Sequence, residues 1–208
     1  MSAGRRWVVA TGNRGKLAEI RALLEGTGLE LVAQHELGIR PAEETAATFV
    51  ENALQKARHA AREAGLPAIA DDSGLIVDAL DGAPGIRSAR FAGEPGDDAR
   101  NLDKVLAALR GVPEPERTAR FYCVVVALAD PADPTPLIAE GVWAGRIAER
   151  PAGAGGFGYD PIFIDPLLGV TAAELPKSVK NEVSHRAVAM RRLAAAIRSQ
   201  RASAVAAS

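Results

Sequence analysis

Two adjacent acids that close an apolar run, in Ala70-Asp71-Asp72-Ser73-Gly74-Leu75, are the residues best suited to hard-cation chemistry. Neighbouring carboxylates oppose each other's ionisation unless a cation lies close. Oxygen ligands of this type suit Mg²⁺ shared with substrate phosphates. The run Pro67 to Ala70 reads as a short strand ending at the acids, and Leu75 to Val77 as extended again. The acids then sit in a turn, either facing a cleft or solvated, with Asp71 or Asp72 capping Ser73.

Four further segments carry chemistry-bearing residues. Thr11, Gly12, Asn13, Arg14, Gly15 and Lys16 lie between an apolar strand and a helix, where backbone N–H groups and the helix dipole form an anion site. A Walker loop is excluded, since Ala10 stands where it needs Gly and Leu17 where it needs Ser or Thr; an ordinary turn remains the alternative. Glu44, Thr48, Asn52 and Lys56 recur every four residues, a polar stripe that either lines a cleft or faces solvent. In Gly153 to Pro161, the glycines fit G-x-G-x-x-G, but Pro161 blocks the helix that a dinucleotide-binding fold requires. Phe157 and Tyr159 there, among only seven Phe and Tyr residues, read as base-stacking rings or as a roof on the core. Finally, Ser184 reads as a helix N-cap, which puts His185 and Arg186 in the first turn, where cations oppose the dipole. His35 and His59 have no sequence partners and read as surface residues.

Only five of the 25 basic residues are lysines: Lys16, Lys56, Lys104, Lys177 and Lys180. In so arginine-rich a chain, a retained lysine marks a place where a compact ammonium differs from a planar fork. Three of the five fall within these motifs, Lys16, Lys56 and, opening the run Lys180-Asn181-Glu182-Val183-Ser184-His185-Arg186, Lys180.

The elements that must hold these residues alternate irregularly. Strands are expected at 7–10, 29–33, 67–70, 120–129 and 137–149, and helices at 16–24, 45–64, 97–109 and 184–198. Helices and strands without a strict βαβ rhythm predict an α/β domain on a mixed sheet. The length suits a single domain over 1–201, and 202–208 read as a disordered tail. A net charge of -1 argues against a nucleic-acid-binding surface. No segment approaches a membrane span, and the opening MSAGRRWVVATGN has too short an apolar run for a signal peptide. The lone Cys123, inside an apolar run, reads as a buried structural thiol in a reducing cytoplasm.

Taken in order, TGNRGK, ENALQKA, ADDSGL, GAPGIRSARFAG, GGFGYDPIF and SHRA closely resemble the inosine/xanthosine triphosphate pyrophosphatase family, from about Trp7 to about Ile197. The resemblance implies an elongated fold of two lobes with the active cleft between them, and a homodimer. It implies Mg²⁺-dependent hydrolysis of non-standard purine nucleoside triphosphates to the monophosphate and pyrophosphate, clearing them from the nucleotide pool. By that likeness Asp72 is the proton acceptor and Lys56 the second catalytic residue. Thr11 to Lys16, Ser73 and Lys180 hold phosphates. Phe157, Gly158, Tyr159, Asp160, His185 and Arg186 surround the base. Glu44 and Asp72 are the metal carboxylates, with Asp71 a further candidate. The alternatives are a pyrophosphatase for pyrimidine or modified nucleotides, and a non-catalytic nucleotide-binding regulator.

Overall fold

Trp7, Val8 and Val9 belong to strand β1 (Arg6–Val9), which lies between two parallel neighbours. β2 (Glu30–Ala33) pairs along one edge with Val9 opposite Ala33. β3 (Ala68–Val77) pairs along the other with Val9 opposite Ile69. With β4 (Thr118–Leu128), β5 (Leu137–Ile147) and β6 (Phe163–Ile164) they form one six-stranded sheet in the order β2-β1-β3-β4-β5-β6. β6 runs antiparallel to β5, so the sheet is mixed, as the sequence predicted. The helices are α1 (Arg14–Leu23), α2 (Phe49–Ala64), α3 (Asp98–Ala108), α4 (Lys177–Val183) and α5 (His185–Ala206). This computed structural model describes residues 6–206, with side chains through residue 200. The expected tail at 202–208 therefore has no described side chains; its backbone is helical to Ala206, and 207 and 208 lie outside the described residues.

The chain divides into two compact units, each with its own apolar core. Among the described residues, 6–72, 123–141 and 186–206 make the first. Its core joins Val9, Ile69 and Val125 of the strands to Leu17 and Ile20 of α1 and Met190 and Leu193 of α5. Residues 73–122 and 142–185 make the second, around Leu75, Phe121, Trp143, Tyr159, Ile162 and Phe163. Among the described residues, no helix is long and apolar enough to cross a membrane.

Three departures from the sequence reading bear on the candidate site. The helix expected from Thr45 starts at Phe49, because Thr48 and Glu51 form a reciprocal capping box: Thr48 Oγ1 accepts from Glu51 N at 3.3 Å, and Glu51 Oε2 accepts from Thr48 N at 3.1 Å. The helix expected from Lys16 starts at Arg14, capped by Asn13, whose side chain accepts from Lys16 N at 3.0 Å. Most consequentially, the expected turn at Asp71-Asp72-Ser73 is the middle of a continuous ten-residue strand.

Candidate active site

Because β3 stays extended, Asp71 and Asp72 project to opposite faces of the sheet. They do not share one site, contrary to the sequence expectation, and each meets its own set of partners. Asp71, with a fully buried side chain, lies 3.1 Å from Lys16 Nζ and 3.4 Å from Arg186 Nε. Burial works to raise its pKa, but Lys16 and Arg186 outweigh burial and hold the carboxyl well below the usual carboxylate range. Asp71 is therefore a fixed anion.

Asp72 turns toward α2. Its Oδ1 lies 3.0 Å from Lys56 Nζ, and its Oδ2 accepts from Asn52 Nδ2 at 3.2 Å. Lys56 Nζ also reaches Glu44 Oε1 at 3.2 Å, so two carboxylates converge on one ammonium. Burial shifts Asp72 upward, with Glu44 adding to the rise, against Lys56 and Lys16. Lys56 is shifted upward as well: burial opposes its charge, but Asp72, Asp71 and Glu44 prevail. The two neighbouring acids are thus pushed in opposite directions, Asp71 below its ordinary value and Asp72 above it.

The expected polar stripe is thus partly off the helix. Glu44 lies in the segment before α2 and Thr48 is its cap, yet Glu44 still meets Lys56. Asn52, expected as a cleft-lining or solvated amide, is wholly buried. In the β1–α1 segment, Thr11 is buried and its Oγ1 accepts from Asn13 N, while Gly12, Asn13 and Arg14 are exposed. At Gly12 an added Cβ would meet only Pro41, at 3.9 Å. Local packing does not require a glycine there, which leaves open surface for a ligand against the backbone.

The remaining expected residues lie in the second unit, apart from Arg186. Tyr159, read as a stacking ring or a roof on the core, lies in the core of the second unit: it is 5% exposed, and its hydroxyl donates to Ser88 O at 2.8 Å. A buried phenol needs such a partner, and the GAPGIRSARFAG segment supplies it. Phe157 stays half-buried, with Lys180 Nζ 4.9 Å from its ring centre. Asp160 is buried; its Oδ2 accepts from Phe157 N at 2.8 Å and lies 2.6 Å from Lys180 Nζ. A Cβ on Gly156 would come within 2.1 Å of that oxygen, so the glycine there serves packing. Gly158 N donates to Asp98 at 2.9 Å. Ser73 follows Asp72 on β3 and is part-exposed. His185 is buried and stacks on Phe121, with ring centres 4.7 Å apart.

Arg186, expected beside a base, has its side chain 3% exposed and ion-paired with Asp71 and Glu19 in the first unit. A cation at a helix start opposes the dipole; here two carboxylates, one of them buried, account for it. His59, read as a surface residue, has its Nε2 2.9 Å from the Arg40 carbonyl in an exposed contact. Cys123 is buried as expected, and burial, with Asp71 nearby, pushes its thiol up to about 12. α4, which places Lys180, was missed; its seven residues have no side-chain cap to announce it.

The donor set suits a small hard cation. Glu44 and Asp72 already converge on one positive centre within 3.2 Å. Among the described residues, no group of three or more His, Cys, Asp or Glu forms a closed metal site. Two carboxylates completed by phosphate oxygens and water is the usual arrangement for Mg²⁺.

A mixed-sheet α/β protein with a lysine-bridged carboxylate pair has close relatives. The Ham1 family model matches residues 7–196, and the chain belongs to that family. A protein of Xanthomonas oryzae pv. oryzae named dITP/XTP pyrophosphatase is 61% identical over 183 residues, 88% of this chain and 92% of its own. One of the same name from Yersinia pseudotuberculosis is 59% identical over 191 residues, 92% of this chain and 97% of its own. The solved structure of a HAM1 protein from Coxiella burnetii superposes with a TM-score of 0.87 at 47% identity, covering 94% of this chain and 99% of that one.

Lysine geometry at this centre can be tested directly. Lys56→Arg keeps the charge but replaces a compact ammonium, 11% exposed, with a larger planar group. We expect kcat/KM to fall about tenfold or more, while the exposed Lys177→Arg leaves it unchanged. Equal kinetics for both variants would show that charge alone matters at position 56.

Proposed function

We propose that the chain hydrolyses deaminated purine nucleoside triphosphates, those of inosine, deoxyinosine and xanthosine, to the monophosphate and pyrophosphate, with Mg²⁺ as the metal. The observation that carries this reading is the Lys56 ammonium held between Asp72 and Glu44, beside a second acid already neutralised by Lys16 and Arg186. The family membership and the names of its curated relatives support the same reaction class, hydrolysis of a phosphoric anhydride.

In this reading Asp72 accepts the proton of the attacking water. The water oxygen bonds to the α-phosphorus as the bond to the β-phosphate oxygen breaks, and pyrophosphate departs. Mg²⁺ held by Glu44 and Asp72 would offset charge on the phosphates. Lys56, adjoining both carboxylates, stabilises the charge that develops on the leaving group. The segment Thr11 to Lys16 binds phosphate through exposed backbone and the start of α1. Roles for Ser73, for Lys180 on phosphate, and for Phe157 to Asp160 and His185 toward the base rest on the family resemblance. Homodimeric assembly and a cytoplasmic location are part of the same proposal.

The experiment is a pyrophosphate-release panel across the triphosphates of inosine, deoxyinosine, xanthosine, adenosine, guanosine and the pyrimidines, with and without Mg²⁺. We expect kcat/KM for deoxyinosine and xanthosine triphosphates to exceed that for adenosine triphosphate by about 100-fold or more, since a site that bonds a carbonyl rejects an amino group there. Preference for a pyrimidine, or orthophosphate in place of pyrophosphate, would overturn the reading.

A further inference from the structure

The proposed chemistry leaves unassigned a buried polar side chain that touches Asp72. Asn52 is 0% exposed and lies on α2, one helical turn before Lys56. Its Nδ2 donates to Asp72 Oδ2 at 3.2 Å, and its Oδ1 accepts from Ala46 N at 3.1 Å. A carboxylate accepts and a backbone N–H donates, so the two partners fix which end of the amide faces which. Lys56 meanwhile takes the other oxygen of Asp72, at 3.0 Å. Both oxygens of one carboxylate are thereby held by side chains from one face of one helix. The second bond of Asn52 ties down Ala46, two residues from Glu44, in the segment that carries the other carboxylate on Lys56.

We infer that Asn52 is a positioning residue for the hydrolysis: it fixes the rotation of the Asp72 carboxylate and the placement of the segment bearing Glu44. This rests on the reading of Asp72 as proton acceptor. A buried amide with only a packing role could be satisfied by backbone groups; this one spends its donor on the reactive acid. Small errors in the placement of reacting groups cost rate far more than they cost affinity.

The test compares Asn52→Ala and Asn52→Asp, each alone and combined with Asp72→Asn, using deoxyinosine triphosphate as substrate. Asn52→Asp keeps an acceptor for Ala46 N and turns the contact with Asp72 from attraction to repulsion, so it separates the two bonds. We expect either single variant to lower kcat by ~10–100-fold. KM, and the calorimetric affinity for a non-hydrolysable α,β-methylene analogue, should stay within about threefold, because the phosphate-binding residues are untouched. In the Asp72→Asn background Asn52→Asp should alter kcat by less than about twofold, since it keeps the acceptor for Ala46 N and meets no carboxylate at residue 72. A single variant with wild-type kcat, an equal further loss in the Asp72→Asn background, or failure of both Asn52 variants to fold would each overturn the role of Asn52. Undiminished turnover by Asp72→Asn alone would instead overturn the assignment of Asp72.

Discussion

Asp72→Asn should lower kcat by about 10²–10⁴-fold, the usual cost of losing a positioned general base, while triphosphate binding remains measurable. The substitution is close to isosteric, so the contact with Lys56 Nζ, now 3.0 Å, can persist with a neutral oxygen as acceptor. What disappears is the ability to take a proton and to offer full negative charge to a metal. The phosphate-binding role proposed for Lys16 and the start of α1 does not run through Asp72, since Lys16 pairs with Asp71, so binding should survive. The measurement is kcat at saturating Mg²⁺ together with nucleotide affinity by calorimetry. Retention of more than half the wild-type kcat would remove Asp72 from the reaction.

The neighbouring acid should respond in the opposite sense. Asp71→Asn is expected to cost about 3–5 kcal/mol of stability, because it leaves the buried Arg186, and Lys16 beside it, without their shared anion. Glu19 still pairs with Arg186, which favours the lower end of that range. The pH dependence has a definite sign. The folded carboxyl lies well below its unfolded value, so its stabilisation is fully present above the unfolded pKa, near ~3.9. It is lost as pH falls toward the folded value. The stability gap between wild type and Asp71→Asn, read by urea denaturation, should hold constant from neutral pH to about pH 5 and close only in stronger acid. A gap below 1 kcal/mol at pH 7 would show that Asp71 is not the anchor of this cluster.

Much of the fold was legible because it is written locally. The apolar period of α2 and the apolar run of β1 follow from spacing alone. Thr48 and Glu51 spell a capping box, a signal present in the sequence that sets the start of α2 at Phe49. Other features depend on partners distant in sequence. A pair of aspartates reads as a turn unless one knows that Lys16, Lys56 and Arg186, from three different helices, surround it. Tyr159 among glycines gives no hint of the Ser88 carbonyl 71 residues away. Arg186 looked out of place at a helix start only because its anions, Glu19 and Asp71, lie far earlier in the chain. Asn52 was visible as one member of a stripe, but its burial could not be read from a spacing that exposed and buried faces share.

The extended course of β3 makes the difference between these two acids a matter of parity. Ile69 and Asp71 share the face that meets α1 and α5, while Asp72 looks toward α2. Nothing in the side chains themselves distinguishes an anchor from a base; one step along the backbone does. Inserting a single residue early in β3 would therefore leave every functional group in the chain present and yet turn both acids to the other face, with Asp71 toward Lys56 and Ala70 in the place between Lys16 and Arg186.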